Sequence, residues 1–104
     1  MKTPDPILAQ FRAALDEIYG DRLDRVVLFG SRARGDEYSD SDYDIAVFLK
    51  SLPDRRAELD RLADLRVRFI DETGSFFDAM PYLASSYHER TPLMSEIREE
   101  GLDL

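Results

Sequence analysis

Gly30-Ser31-Arg32-Ala33-Arg34-Gly35, followed across a polar link by Ser39-Asp40-Ser41-Asp42-Tyr43-Asp44-Ile45-Ala46-Val47, decides how this chain is read. Just before it, Val26-Val27-Leu28-Phe29 is a continuous apolar run between Arg25 and Gly30. It is too short for a helix and suits a buried strand. Gly30 marks a turn, and Ser31 to Asp36 reads as a short helix with Ser31 as its cap and Gly35 helping to end it. After a polar loop from Asp36 to Ser41, a second strand is predicted over Asp42 to Leu49. Side chains alternate along a strand, so Tyr43, Ile45, Val47 and Leu49 share one face, while Asp42, Asp44, Ala46 and Phe48 share the other. The two carboxylates therefore point the same way.

Working outward, Ile7, Leu8, Phe11, Ala14, Leu15 and Ile18 recur at helical spacing between Pro6 and Tyr19, with Asp5 as N-cap and Gly20 as the stop. A second amphipathic helix is expected from about Pro53 to Ile70, its apolar positions being Ala57, Leu59, Leu62, Ala63, Leu65, Val67 and Phe69, with Gly74 beyond it. Ser75 to Leu83 fits a strand, and Pro81 argues that its end lies at a sheet edge or outside the ladder. Thr91 and Pro92 open a last helix that runs to about Glu100 and stops at Gly101, and Leu102 to Leu104 suits a short edge strand. The sum is an α/β chain without repeats, expected to form a single domain over residues 1–104.

Size bounds what such a chain can hold. With 104 residues, 43% of them hydrophobic, one core is affordable, and a separate substrate-binding module is not. The formal net charge of -8 disfavours stable nucleic-acid binding, which needs clustered Lys and Arg. There is no cysteine, so disulfides and thiolate metal sites are excluded. The stretch Met1 to Pro6 lacks a secretory signal, and no run approaches the roughly 20 apolar residues of a membrane span, so a cytoplasmic protein without membrane contact is expected.

The chemistry begins with Asp42 and Asp44. Two like charges on one strand face repel, and a divalent cation is the usual compensation. Mg²⁺ takes oxygen ligands and bridges carboxylates to substrate phosphates, so the pair favours a phosphate substrate. Gly30 and Ser31 stand where a strand meets a helix start, with backbone N–H groups able to bind anions and a hydroxyl to add. Arg32 and Arg34 suit either phosphate contacts or structural ion pairs. Asp78 lies in an apolar run with no basic neighbour in sequence, so burial there demands a partner, such as a metal shared with Asp42 and Asp44. It would also serve as general base toward an acceptor hydroxyl.

The run from Gly30 to Val47 resembles the signature of the DNA polymerase beta-like nucleotidyltransferase superfamily, a Gly-Ser motif followed about a dozen residues later by Asp-x-Asp. The short chain and the Ser39-to-Asp44 wording are similar to its minimal nucleotidyltransferases, the antitoxins of MNT–HEPN toxin–antitoxin pairs. The resemblance implies a small mixed β-sheet flanked by helices, Mg²⁺ held by Asp42, Asp44 and a third acid, and ATP as nucleotide donor. It also implies transfer of AMP to a tyrosine hydroxyl of a partner HEPN ribonuclease within a hetero-oligomer. The third acid matches Asp78 by strand parity and order, with Asp71 and Glu72 as competitors. The alternatives are a non-catalytic antitoxin acting by occlusion, and transfer to a small molecule such as an aminoglycoside.

Other residues have plainer readings. Asp40 suits a loop cap, and His88 suits exposure in the polar stretch from Ser85 to Arg90. The series Arg55, Arg56, Arg61, Arg66 and Arg68 reads as a solvated helix face. Tyr82 and Tyr87 fit either a core or an interface.

Overall fold

A computed structural model describes residues 5–35 and 42–104. Asp36 to Ser41, including Asp40 and the predicted polar loop, lie outside the described residues. Helix α1, Pro6–Tyr19, starts where the sequence placed it, because an Asp5 carboxylate oxygen accepts from the Ile7 and Leu8 backbone N–H groups. Strand β1, Leu23–Phe29, extends three residues further back than its apolar run. Helix α2, Ser31–Arg34, is a single turn capped by Gly30, with Ser31 as its first residue. The expected Ser31 cap is therefore corrected. Gly30 takes the cap because its backbone, at φ 79° and ψ −158°, lies where other residues are strained.

Strand β2, Tyr43–Leu49, is followed by helix α3, Arg55–Thr73, whose N-cap is Asp54. That helix begins later and ends later than its apolar pattern suggested. Strand β3 spans Phe77–Leu83, helix α4 Pro92–Glu100 and strand β4 Leu102–Asp103. The sequence did not signal the two 3-10 turns, Gly20–Arg22 and Ala84–His88, which are local compactions without apolar periodicity. His88 is exposed at the end of the second, as expected.

The four strands form one mixed sheet in the order β3-β2-β1-β4. Strands β1 and β2 are antiparallel, β1 and β4 antiparallel, and β2 and β3 parallel, with α3 as the crossover that a parallel pair requires. The larger core lies on the face of Tyr43, Ile45, Val47 and Leu49, where Phe11, Ala14 and Leu15 of α1 meet Leu62, Leu65 and Phe69 of α3. The opposite face carries Val27, Ala46 and Phe48 beneath Met94 and Ile97 of α4. Tyr82 and Tyr87 pack against Phe48 there, with ring centroids 5.6 and 5.4 Å away. Strand parity therefore sorted β2 correctly. Helix α3 buries Glu58, Leu62, Leu65 and Phe69, whereas Val67 and Ala63 face solvent.

The outer edge of β3 explains Pro81. Tyr43 donates its backbone N–H to the Phe76 carbonyl, so even-numbered residues of β3 direct their backbone groups toward β2. Odd-numbered Pro81 turns outward, where no ladder N–H is needed. The outward carbonyls of Phe77 and Pro81 accept instead from Arg66 and Arg55 of α3, at 2.6 and 2.8 Å. Two of the arginines expected to be solvated thus cover a sheet edge.

Candidate active site

The ends of β1 and the starts of β2 and β3 meet at one end of the sheet. Register sets Phe29 opposite Asp44, and Asp44 opposite Asp78. The second pairing favours Asp78 over Asp71 and Glu72, which sit at the end of α3, a helix packed on the other face. Asp78 is exposed rather than buried, so the argument from burial does not apply to it. Register alone brings it beside Asp44. Asp42 is exposed just before β2, and Asp44 is half-buried between its neighbours.

Asp44 is held above the ordinary aspartate range, first by burial, then by the charges of Asp78, Asp42 and Glu96. Arg34 acts in the opposite sense. Burial and neighbouring carboxylates thus act together on Asp44. Gly30 abuts it: a Cβ on that glycine would run into Asp44 Oδ2. The strand-to-helix turn is thereby pressed directly against the central carboxylate, as a phosphate-binding turn beside a cation site would have to be.

Arg34 bridges to Glu96 and Glu100 of α4, at 3.6 and 3.2 Å, tying the Gly30–Ser31 turn to the last helix. Arg32 lies over the Tyr43 ring, 4.0 Å from its centroid. Ser31 is half-buried at the start of α2.

Sequence reasoning missed two contributors. Tyr43, the middle residue of Asp-x-Asp, projects through the opposite face and anchors the pair from behind. Its hydroxyl donates to Asp5 Oδ2 at 3.1 Å, and its ring stacks on Phe77, which in turn stacks on Phe11. The signal was its parity with buried Ile45 and Val47. Glu96 is the other, and its spacing of four from Glu100 on one helix face was the available sign.

The donors fit Mg²⁺. All are oxygens, and among the described residues no group of three His, Cys, Asp or Glu forms a ready-made metal cage. Mg²⁺ sites commonly use one or two carboxylates and complete the shell with water and substrate phosphate. Asp42 and Asp44 beside the Gly30–Ser31 turn offer such a carboxylate pair.

Residues 17–101 match the family described as Polymerase beta, Nucleotidyltransferase. Putative protein adenylyltransferase MJ0141 of Methanocaldococcus jannaschii is 45% identical over 47 residues, which are 45% of this chain and 48% of that protein. Putative protein adenylyltransferase MJ1305 of the same organism is 39% identical over 69 residues, 65% of this chain and 47% of that protein. The matched stretches span about half the length of each relative. Among solved structures, the crystal structure of a toxin-antitoxin with AMP-PNP superposes with a TM-score of 0.64 at 22% identity, over 90% of this chain and 69% of that one. A variant of the toxin-antitoxin MntA-HpeT gives 0.62 at 23% identity, over 92% and 70%. These likenesses show a shared fold. The family match takes in Gly30, Ser31, Asp42, Asp44 and Asp78 together, and the chain belongs to the polymerase beta nucleotidyltransferase family.

Proposed function

We propose that this chain is an antitoxin that transfers AMP from ATP, with Mg²⁺, to a tyrosine hydroxyl of a partner HEPN ribonuclease, silencing it within a hetero-oligomer. The observation that carries the reading is the contact of Gly30 with Asp44, with Asp78 paired across from the same carboxylate. Two relatives named as protein adenylyltransferases and structural neighbours that are toxin-antitoxin complexes support it.

In this reading the Gly30–Ser31 turn receives the β- and γ-phosphates through backbone N–H groups and the Ser31 hydroxyl. Asp42 and Asp44 would hold Mg²⁺, with Asp78 beside Asp44, and the ion would supply charge neutralisation at the phosphates. Asp78 stands on the far side of Asp44 from Gly30 and takes the proton of the acceptor hydroxyl. The acceptor oxygen bonds to the α-phosphorus, the bond to the bridging oxygen breaks, and pyrophosphate leaves. Tyr43 and Arg34 position the two halves of the site. Most of the rate then comes from orientation and charge.

Labelled ATP, Mg²⁺ and the HEPN product of a neighbouring gene provide the test. Label should pass to the toxin and disappear with Asp42→Ala or Asp44→Ala. Transfer that survives both substitutions, or no transfer at all, would overturn the proposal. A double variant that still neutralises the toxin at equal expression would instead favour occlusion.

A further inference from the structure

We infer that Arg32 is a positioning residue of the transfer reaction: its guanidinium grips the Tyr43 ring and so fixes how the Gly30–Ser31 turn is set against Asp44. The inference rests on the nucleotidyl-transfer reading above and gives the two arginines of the turn different work. In sequence both suit phosphate contacts or ion pairs. In the fold Arg34 reaches α4, whereas Arg32 reaches the strand that carries the carboxylates.

Tyr43 is a fixed post for that grip. Its hydroxyl donates to Asp5, which caps α1, and the Phe77 ring stacks on one of its faces with centroids 4.6 Å apart. Phe11 stacks in turn on Phe77 at 4.0 Å. The Arg32 guanidinium carbon is 4.0 Å from the Tyr43 centroid and, with Phe77 on one face, takes the other. A cation over a tyrosine face is attracted by the ring quadrupole, more strongly where water is excluded. Tyr43 is 5% exposed and Arg32 half-buried, so water is largely kept from the contact.

Connectivity gives the grip its consequence. The antiparallel register that sets Phe29 opposite Asp44, carried one step further, brings Gly30 beside Tyr43. Glycine leaves the chain freer to turn there than any other residue would. Helix α2 is a single turn, which has no stability of its own. Arg32, two residues after Gly30, secures this turn on the core side of β2, while Gly30 abuts Asp44 Oδ2 on the other. Tyr43 and Asp44 project to opposite faces of their strand. The Arg32 charge therefore holds the turn from behind and does not meet phosphates laid against Asp44.

The test is a double-mutant cycle on Arg32 and Tyr43, read as transfer from ATP to the partner toxin and as affinity for a non-hydrolysable ATP analogue. Arg32→Met should lower kcat about tenfold and leave analogue affinity within about twofold of wild type. The loss of kcat should persist in a Tyr43→Phe background, whose ring keeps the stacking face, and vanish in Tyr43→Leu, which has none. A fall in analogue affinity of about tenfold, undiminished in Tyr43→Leu, would mark a charge-assisted phosphate contact and overturn the inference. Equal losses of kcat in all three backgrounds, or no loss in any, overturn it too. NMR of the wild-type chain gives a readout independent of how the variants fold: the Arg32 side-chain protons, shielded by the Tyr43 ring current, should stay shielded when the analogue and Mg²⁺ bind. Loss of that shielding overturns the inference. Absence of both transfer and analogue binding in the wild-type chain overturns the transfer reading and this inference together, whereas any of the other adverse results with wild-type transfer intact overturns this inference alone.

Discussion

Two residues carry the tension of this site, Gly30 in front of Asp44 and Tyr43 behind it. A methyl group on Gly30 meets both an unfavourable backbone conformation and Asp44 Oδ2. Gly30→Ala should therefore cost about 1–3 kcal/mol in chemical denaturation. If transfer depends on this contact, activity should fall by about 100-fold as Asp44 is displaced. Tyr43 separates two contributions: Tyr43→Phe removes the hydroxyl that donates to Asp5 and should cost about 1 kcal/mol. Tyr43→Ala also empties the ring stack with Phe77 and should cost about 3–5 kcal/mol. Equal losses in the two variants would refute the anchoring role given to the ring. Parity made Asp42 and Asp44 legible in the sequence, since two residues on one strand need no long-range information. The approach of Glu96 was not legible, because it depends on how α4 lies across the sheet.

Among the elements, β3 is an edge strand with specific protection. Its outward carbonyls at Phe77 and Pro81 are covered by guanidinium groups, and Pro81 offers no outward N–H. Arg66→Ala and Arg55→Ala should each cost about 1–2 kcal/mol, as loss of a charge-assisted hydrogen bond does. The double variant should also self-associate, measured by light scattering against concentration. A double variant that stays monomeric would show that the proline alone suffices to block pairing. Cap chemistry located α1 and α4 well, because Asp5 and Thr91 bond to the backbone two to three residues on. It failed for α2, where the cap is a glycine chosen for its torsion angles rather than its side chain. The solvent face of α3 misread Val67 and concealed the edge role of Arg55 and Arg66, since sequence does not say which strand a helix borders.

At the scale of the whole molecule, the end of the sheet remote from the carboxylates has its own buried charge. Glu58 is 3% exposed and bonded to Arg22 and Arg61, at 2.9 and 3.2 Å, with the Tyr19 ring beside it. Burial pushes its pKa up, but the hydrogen bond from Arg22 and the charges of Arg22 and Arg61 outweigh burial, so the net shift is downward. A carboxylate held low in the folded state contributes stability that is complete above the ordinary glutamate range and is lost as pH falls through its folded value. Glu58→Gln should thus cost about 2 kcal/mol at neutral pH, and the difference from wild type should vanish in acid. Melting temperatures across pH check this, and a pH-independent difference would contradict it. The α/β class was legible from the alternation of elements. The order β3-β2-β1-β4 was not, because periodicity records which side of a strand is apolar and nothing about its neighbours.

The alternation of β2 has a further consequence. Odd residues of that strand anchor the larger core, while Asp44 on the other face, with Asp42 just before the strand, supplies the charge. Cohesion and reactivity are thereby written on opposite sides of one seven-residue segment. Substitutions on one side can alter the charge of the site while the other side keeps the scaffold.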